Sequence, residues 1–175
     1  GIPVSYGSYE ELADDPNVDL VYIATPHSLH AQQARLCLEA GKNVLVEKAF
    51  TANAEQAESV FNVGDAAGLL CTEAIWTRYM PSRGIINDLL ASGVIGEIRT
   101  VSANLAYATA QKTRITSLEL AGGALLDVGV YTLNFIDMVM HGRDIDRIAT
   151  SMMPYATGVD AQSSTMLCYG DEVMA

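Results

Sequence analysis

The alternation of apolar runs with helical segments between residues 19 and 72 constrains the fold of this chain more than any other feature. Two continuous apolar runs, "DLVYIAT" (19–25) and "NVLVE" (43–47), and a shorter one, "LLCT" (69–72), are typical of strands covered on both faces. Helical segments that end at Gly41 and Gly68 separate them. This order predicts a βαβαβ unit with a parallel sheet, which is half of a doubly wound α/β fold.

The pattern changes after Trp76. Pro81 can begin a helix, and the rest of the chain contains a long apolar helical segment and three stretches that favour extended strands. The helical segment is "GGALLDVGVYTLNFIDMVMHG", and the strand candidates are "EIRTVSANLAYA", "IDRIATSMM" and "SSTMLCYGDEV". Antiparallel strands beside a helix predict an α+β domain. We therefore expect two domains, residues 1–74 and 75–175, the second built on a predominantly antiparallel sheet.

Charge and hydropathy exclude several classes of function. Ten Lys and Arg residues against twenty-one Asp and Glu residues give a net charge of -11, and such a surface repels phosphate backbones. We expect no nucleic-acid partner. No apolar run is long enough to span a bilayer, and the first residues lack the basic start and apolar stretch of a signal peptide. We expect no membrane association.

The cysteines and histidines do not form a recognisable metal or disulfide pattern. The three cysteines are odd in number, far apart and embedded in apolar sequence, so we interpret them as small core residues in a reducing, cytoplasmic protein. The three histidines lie at spacings that do not fit metal ligands, and we predict no metal site. These residues are Cys37, Cys71, Cys168, His27, His30 and His141.

Polar residues follow each strand of the predicted parallel sheet. Thr25-Pro26-His27 comes after the first strand, Glu47-Lys48 after the second, and Glu73 at the end of the third. Ligands of open parallel sheets bind outside the carboxyl ends of the strands. Lys48 is therefore either a ligand contact or a strand-end lysine that simply extends to solvent.

A second candidate site lies in the segment "LLDVGVY". Asp127 and Tyr131 are four residues apart, so in a helix they share a face, and Asn134 lies close to that face. The alternative is that Asp127 is a helix N-cap and Tyr131 an ordinary half-buried tyrosine. A lysine ammonium near a phenol favours the phenolate, and such a pair can exchange a proton with a substrate oxygen. The hydride would come from a nicotinamide, since no side chain supplies one.

Three segments of the chain together resemble one known family. They are "VYIATPHSLHAQQARLCLEAGKNVLVEKAF", "TEAIWTRYMPSRGIINDLLASGVIGEIRTV" and "AGGALLDVGVYTLNFIDMV", and they occur in the order found in the Gfo/Idh/MocA superfamily. The chain looks closest to the branch of dimeric dihydrodiol dehydrogenases and related sugar reductases. The resemblance implies the C-terminal half of a Rossmann dinucleotide-binding domain, followed by part of an α+β domain.

The resemblance also implies roles for individual residues. Glu47-Lys48 matches the family's Glu-Lys-Pro signature, and Asp127 and Tyr131 match its Asp-x-Gly-x-His/Tyr element. Tyr131 would be the proton donor or acceptor, Lys48 would assist it, and Asp127 would orient substrate hydroxyls. The implied cofactor contacts are Thr25, Pro26, His27, Leu29, His30, Glu47, Lys48, Arg78 and Arg114.

The chain departs from the family pattern at several points. Ala49 replaces the signature proline, and Thr113 stands where many members have the tryptophan of a Trp-Arg pair. The glycine-rich phosphate turn and the strand before it are absent, so we expect a central fragment of a longer enzyme, inactive alone.

The implied activity is that of an NAD(P)-dependent oxidoreductase. The substrate would be a hydroxyl/carbonyl pair of a sugar or cyclic trans-diol, with NADP favoured over NAD. A non-catalytic, cofactor-binding regulator of the same fold is the alternative. The resemblance further implies a homodimer or higher homo-oligomer through the second-domain sheet.

Overall fold

The computed structural model describes residues 2–170 and 173–175 and divides the chain into two compact units. The first contains the chain up to Ala74 together with Glu119–Ala121, and the second contains Ile75–Leu118 and the chain from Gly122 onward. None of the described helices is long and apolar enough to cross a membrane.

The first unit is a parallel sheet with helices between its strands. Its elements are α1 (Tyr9–Asp14), β1 (Leu20–Ile23), α2 (His27–Glu39), β2 (Asn43–Val46), α3 (Ala54–Ala67) and β3 (Cys71–Glu73). The strands lie in the order β1-β2-β3, with Leu20 opposite Asn43 and Val44 opposite Cys71. This confirms the predicted βαβαβ architecture.

Local sequence signals account for the bounds of these elements. The side chain of Asn53 accepts a hydrogen bond from the Gln56 amide at 2.9 Å and so caps the start of α3. Gly68 ends that helix with a left-handed backbone (φ +65°) that costs little only for glycine. The core between sheet and helices includes the fully buried Leu38, Val44 and Val60.

The second unit combines helices with an antiparallel sheet. Its elements are a 3₁₀ helix (Trp76–Tyr79), α4 (Pro81–Ala91), α5 (Thr113–Thr116), a π-helical turn (Leu125–Gly129), α6 (Val130–Val139), β4 (Arg147–Pro154), β5 (Asp160–Tyr169) and β6 (Val173–Met174). The strands lie in the order β4-β5-β6, and both pairs are antiparallel. The predicted α+β character is confirmed.

The strand predicted in "EIRTVSANLAYA" does not form as a strand, and that prediction was wrong. The segment makes one isolated parallel bridge, Thr100 with Met174, and the Val101 amide donates to the Met174 carbonyl at 3.0 Å. Side-chain burial does alternate from Val101 to Ala106, as the pattern indicated. A strand also needs a backbone partner, and the two-residue β6 offers one only at this point.

The apolar segment that carries Asp127 and Tyr131 is helical, as predicted. It begins with the π-helical turn and continues as α6. Asp127 lies inside the π turn and Ala124 is the N-cap residue, so the N-cap alternative for Asp127 was wrong. Such turns are rare and occur frequently at functional sites.

Candidate active site

In the first unit, the loop after β2 is hydrogen-bonded to the neighbouring strand β3. The Lys48 amide donates to the Glu47 carboxylate at 3.1 Å, and the Phe50 amide donates to Glu73 Oε1 at 2.8 Å. Glu73 is the last residue of β3. Two of the polar clusters that the sequence placed at strand ends are thus joined at the carboxyl edge of the sheet. The Lys48–Ala49 peptide bond is cis, and the Lys48 side chain is half-buried.

His30 bridges two of the loops at this edge. Its ring is fully buried, with Nδ1 2.8 Å from the Ala49 carbonyl oxygen and Nε2 2.8 Å from the Thr25 carbonyl oxygen. His27 Nδ1 lies 2.9 Å from the Ala121 carbonyl oxygen, and the two imidazoles meet edge to face. Both histidines, predicted as cofactor contacts, therefore hold backbone in place in this structure.

Gln33 is a buried polar residue that the sequence reasoning missed. Its Oε1 accepts a hydrogen bond from Thr25 Oγ1 at 2.7 Å, and its Nε2 is buried with no partner among the described residues. A buried amide group costs free energy unless it finds a hydrogen-bond partner. Its position three residues after His30 was the available signal, because that spacing places it on the buried face of α2. Among the described residues, Gln33 thus keeps an unpaired amide donor next to Thr25.

Glu47 receives a hydrogen bond from the strand before it. The Tyr22 hydroxyl on β1 donates to Glu47 Oε1, and this bond to a carboxylate raises the pKa of Tyr22. The parallel register explains the pairing, because Tyr22 lies opposite Leu45, two residues before Glu47. The carboxylate is held toward β1.

In the second unit, Asp127 and Tyr131 each contact a residue from a different element. Arg114 Nη1 donates to Asp127 Oδ1 at 2.7 Å, and the aspartate is buried, only 5% exposed. Trp76 Nε1 donates to the Tyr131 hydroxyl oxygen at 3.1 Å, and the two rings pack edge to face. The structure therefore places Arg114, predicted as a cofactor contact, in an ion pair with the predicted substrate-orienting carboxylate.

The start of this helical segment is capped from β5. The Asp160 carboxylate accepts a hydrogen bond from the Leu125 amide at 2.7 Å, which satisfies one of the unpaired donors at the helix start. Gly123 (φ +116°) lies so close that a Cβ there would overlap Asp160 Oδ1. Asp160 and Trp76 both contact the helical segment that carries Tyr131. The sequence reasoning missed them because neither lies near Tyr131 in the chain.

The remaining predicted residues lie on the loop and helix after β1 and on the 3₁₀ helix. Thr25 and Pro26 lie between β1 and α2, and Leu29 lies in the first turn of α2; all three are half-buried. Arg78 is exposed on the 3₁₀ helix. Within residues 2–170 and 173–175, no group of three His, Cys, Asp or Glu side chains could hold a metal ion.

A cleft of about 750 Å³ in the second unit is lined in part by Asp127. Polar residues of the segment 97–108, including Ser102, Asn104 and Tyr107, contribute to its walls. Tyr131 is not among the lining residues. The volume is that of a small-molecule site, but the cleft does not by itself unite the two predicted functional side chains.

Comparisons with known proteins cover nearly the whole chain. A family model described as "Oxidoreductase family, NAD-binding Rossmann fold" matches residues 1–74, and the "GFO/IDH/MocA C-terminal domain" matches residues 85–175. Trans-1,2-dihydrobenzene-1,2-diol dehydrogenase of Sus scrofa is 43% identical over 96% of this chain and 50% of its own length. D-xylose 1-dehydrogenase (NADP(+)) of Hypocrea jecorina is 41% identical over 94% of this chain and 46% of its own.

Solved structures agree with these sequence relatives. The crystal structure of KijD10, a 3-ketoreductase from Actinomadura kijaniata in complex with NADP and TDP-benzene, matches with a TM-score of 0.84 at 31% identity, over 96% of this chain and 52% of that one. The chain spans about half the length of the relatives it matches. It belongs to the GFO/IDH/MocA oxidoreductase family.

Proposed function

We propose that the protein is an NADP-dependent oxidoreductase that moves a hydride between the nicotinamide and a hydroxyl/carbonyl group of a sugar or cyclic trans-diol. Three relatives support this: one is named for a cyclic trans-diol, one for D-xylose and NADP(+), and one is a ketoreductase in complex with NADP. The names of the latter two favour NADP over NAD. This chain spans about half the length of its relatives, so the activity is proposed for the full-length protein.

The observation that carries the proposal is the placement of Asp127 and Tyr131 one helical turn apart at the π turn. Asp127 is a buried carboxylate paired with Arg114, and Tyr131 is a half-buried phenol whose oxygen accepts a hydrogen bond. In the reduction direction Tyr131 Oη gives its proton to the substrate oxygen, and in oxidation it takes the proton back. Asp127 binds a neighbouring substrate hydroxyl and so fixes which carbon reacts.

The cofactor would be held at the carboxyl edge of the first unit's sheet. Thr25, Pro26 and Leu29 beside β1, and Glu47 and Lys48 after β2, would bind the ribose and nicotinamide. When bound, the cofactor supplies or accepts the hydride. The Lys48 ammonium would favour the phenolate of Tyr131 by its charge. His27 and His30 would contribute indirectly, because their rings hydrogen-bond to backbone carbonyl groups and hold these loops in place.

We also propose a homodimer or higher homo-oligomer through the second-domain sheet. Every residue of β4 is exposed, including the apolar Ile148, Met152 and Met153. Exposed apolar surface on this scale favours association. Sedimentation of the full-length protein tests this proposal, and a concentration-independent monomer would contradict it.

Nicotinamide absorbance in the full-length protein tests the catalytic proposal. The panel contains NADP and NAD with aldoses and cyclic trans-diols, and the variants are Tyr131→Phe and, as a matched control, the exposed Tyr9→Phe. We expect Tyr131→Phe to lower kcat at least about 100-fold, because general acid–base catalysis contributes 10²–10⁴-fold. Cofactor affinity and the control should be unchanged.

Two outcomes would contradict this proposal. Equal turnover in Tyr131→Phe and the wild type would remove Tyr131 from the chemistry. Tight cofactor binding without turnover on the whole panel would favour the alternative, a non-catalytic regulator that binds the cofactor on the same fold.

A further inference from the structure

We propose that Trp76 is a positioning residue that controls the proton transfer of Tyr131 through its indole N–H. The inference rests on the proposed function, since it concerns how the phenol of that reaction is set up. Trp76 lies on the 3₁₀ helix, 55 residues before Tyr131 in the chain, and its Nε1 is 3.1 Å from the phenolic oxygen. This distance is within the normal range for an N–H···O bond.

The direction of this hydrogen bond is fixed by chemistry. An indole nitrogen carries a hydrogen and no acceptor lone pair, so Trp76 can only donate and Tyr131 can only accept. The hydroxyl hydrogen of Tyr131 must therefore point away from the indole. The contact thus leaves the O–H of Tyr131 to donate to another oxygen, which is what a proton donor requires.

The packing of the two rings points to the same role. Their centroids are 6.2 Å apart at an interplanar angle of 62°, an edge-to-face contact that limits the rotation of the phenol. The Trp76 side chain is nonetheless 58% exposed, so core packing does not explain its place. The hydrogen bond and the ring contact are its specific interactions with the helix.

The hydrogen bond is worth more when Tyr131 is ionised. During reduction, the substrate carbonyl carbon receives the hydride while its oxygen takes the proton from Tyr131 Oη, leaving a phenolate. A hydrogen bond to a charged oxygen is about twice as strong as one between neutral groups. Trp76 therefore stabilises the state that forms as the reaction proceeds, and such differential stabilisation raises kcat.

The test compares Trp76→Phe and Trp76→His in the full-length protein. Phenylalanine keeps an edge-to-face ring but removes the N–H, while histidine restores a ring N–H donor. We expect Trp76→Phe to lower kcat by about tenfold to one hundredfold, with cofactor KM unchanged, because a hydrogen bond to a charged group contributes that much. The pH profile of alcohol oxidation should shift to higher pH, and Trp76→His should recover part of the loss.

A titration that does not depend on turnover separates this inference from the proposed function. Tyrosinate absorbance is followed in four proteins: the wild type, Tyr131→Phe, Trp76→Phe and the double variant. Subtracting each Tyr131→Phe background isolates Tyr131, and its midpoint should lie higher without Trp76. Trp76 is the only tryptophan in this chain. A change in tryptophan fluorescence on ionisation that occurs in the wild type and is absent from both Tyr131→Phe and Trp76→Phe would report on this contact.

The outcomes are distinguishable. Equal midpoints and equal pH profiles with and without Trp76 would overturn the inference, as would a Trp76→His variant no better than Trp76→Phe with an unshifted titration. A shifted midpoint in a protein that turns over nothing on the panel would uphold the hydrogen bond's effect and contradict the proposed function instead.

Discussion

Arg114 donates a hydrogen bond across 2.7 Å to Asp127, a carboxylate that is almost entirely buried. The pair is asymmetric: the arginine side chain is 48% exposed and the aspartate side chain 7%. Removing a buried charge's partner is costly, because the charge stays in a poorly solvated site. Arg114 is half-exposed, but its loss should still be costly because Asp127 would stay buried without its partner.

Replacement of Arg114 by Ala should lower the free energy of unfolding by about 1–3 kcal/mol, the usual cost of losing a hydrogen bond to a charged group. Arg35 offers a matched control, since it is 47% exposed but pairs with Glu39, which is 57% exposed. Arg35→Ala should cost at most about 0.5 kcal/mol. Urea unfolding of the three proteins measures both; equal losses would show that the burial of Asp127 does not matter.

A side chain at Gly123 should destabilise the start of the helical segment. Alanine there meets Asp160 Oδ1 and must also adopt a φ of +116°.

Gly142 supplies the control variant. Its φ is also positive (+79°), but no atom lies within 4 Å of the place where an alanine Cβ would be. Gly142→Ala therefore isolates the backbone cost, about 1 kcal/mol. Gly123→Ala should cost about 1–3 kcal/mol more, because the close contact forces a shift. Thermal unfolding of both variants measures the difference, and equal melting temperatures would contradict the overlap.

Most of the first unit could be predicted from the sequence because its signals are local. Strands β1 and β2 are continuous apolar runs, and helix α3 carries both its capping residues, Asn53 and Gly68, next to its ends. The predicted strand near Thr100 failed for the opposite reason. Alternating burial of side chains is a property of one segment alone. A strand also needs a backbone partner, and whether one lies beside the segment depends on residues far along the chain.

The sequence identified the candidate residues of the site but not their hydrogen-bond partners. The spacing of Asp127 and Tyr131 placed both on one helical segment. Their partners come from 13 and 55 residues away, and no periodicity links them. Arg114 was predicted to reach the cofactor, and only the tertiary fold shows its ion pair with Asp127.

His30 should be important for the stability of the loops after β1 and β2. Its two ring nitrogens lie 2.8 Å from the carbonyl oxygens of Ala49 and Thr25, and a ring N–H donates to a carbonyl oxygen at that distance. In His30→Phe neither carbonyl has this donor. We expect a loss of about 1–3 kcal/mol in unfolding free energy, the cost of leaving a buried acceptor unsatisfied.

The exposed His141 supplies the control for this experiment. His141→Phe should change stability by no more than about 0.5 kcal/mol, as surface substitutions usually do. Amide hydrogen exchange would localise the effect, with faster exchange expected around Ala49 in the His30 variant. Unchanged exchange there would mean that His30 does not hold the loop.

Cys71 should resist alkylation at neutral pH and should make stability fall in alkaline solution. Burial, helped by the nearby Asp65 carboxylate, raises the pKa of the Cys71 thiol to about 11, from an ordinary value of 9.0. The thiolate is the form that reacts, so the rate of iodoacetamide alkylation of native Cys71 should have its midpoint near pH 11, whereas in urea the midpoint should lie near pH 9. Peptide mass spectrometry measures each cysteine separately.

The sign of the stability effect follows from the same pKa. Between pH 9 and 11 the unfolded chain has lost the proton that folded Cys71 still holds, so the unfolded state binds fewer protons and unfolding becomes easier as pH rises. The contribution is complete below pH 9 and lost as pH passes about 11. Cys71→Ser should reduce this alkaline decline, and Asp65→Asn should move the alkylation curve of Cys71 to lower pH by removing the neighbouring charge. An alkylation curve with its midpoint near pH 9 in the native protein, or an alkaline decline identical in Cys71→Ser, would show that this thiol is not held in its protonated form by the fold.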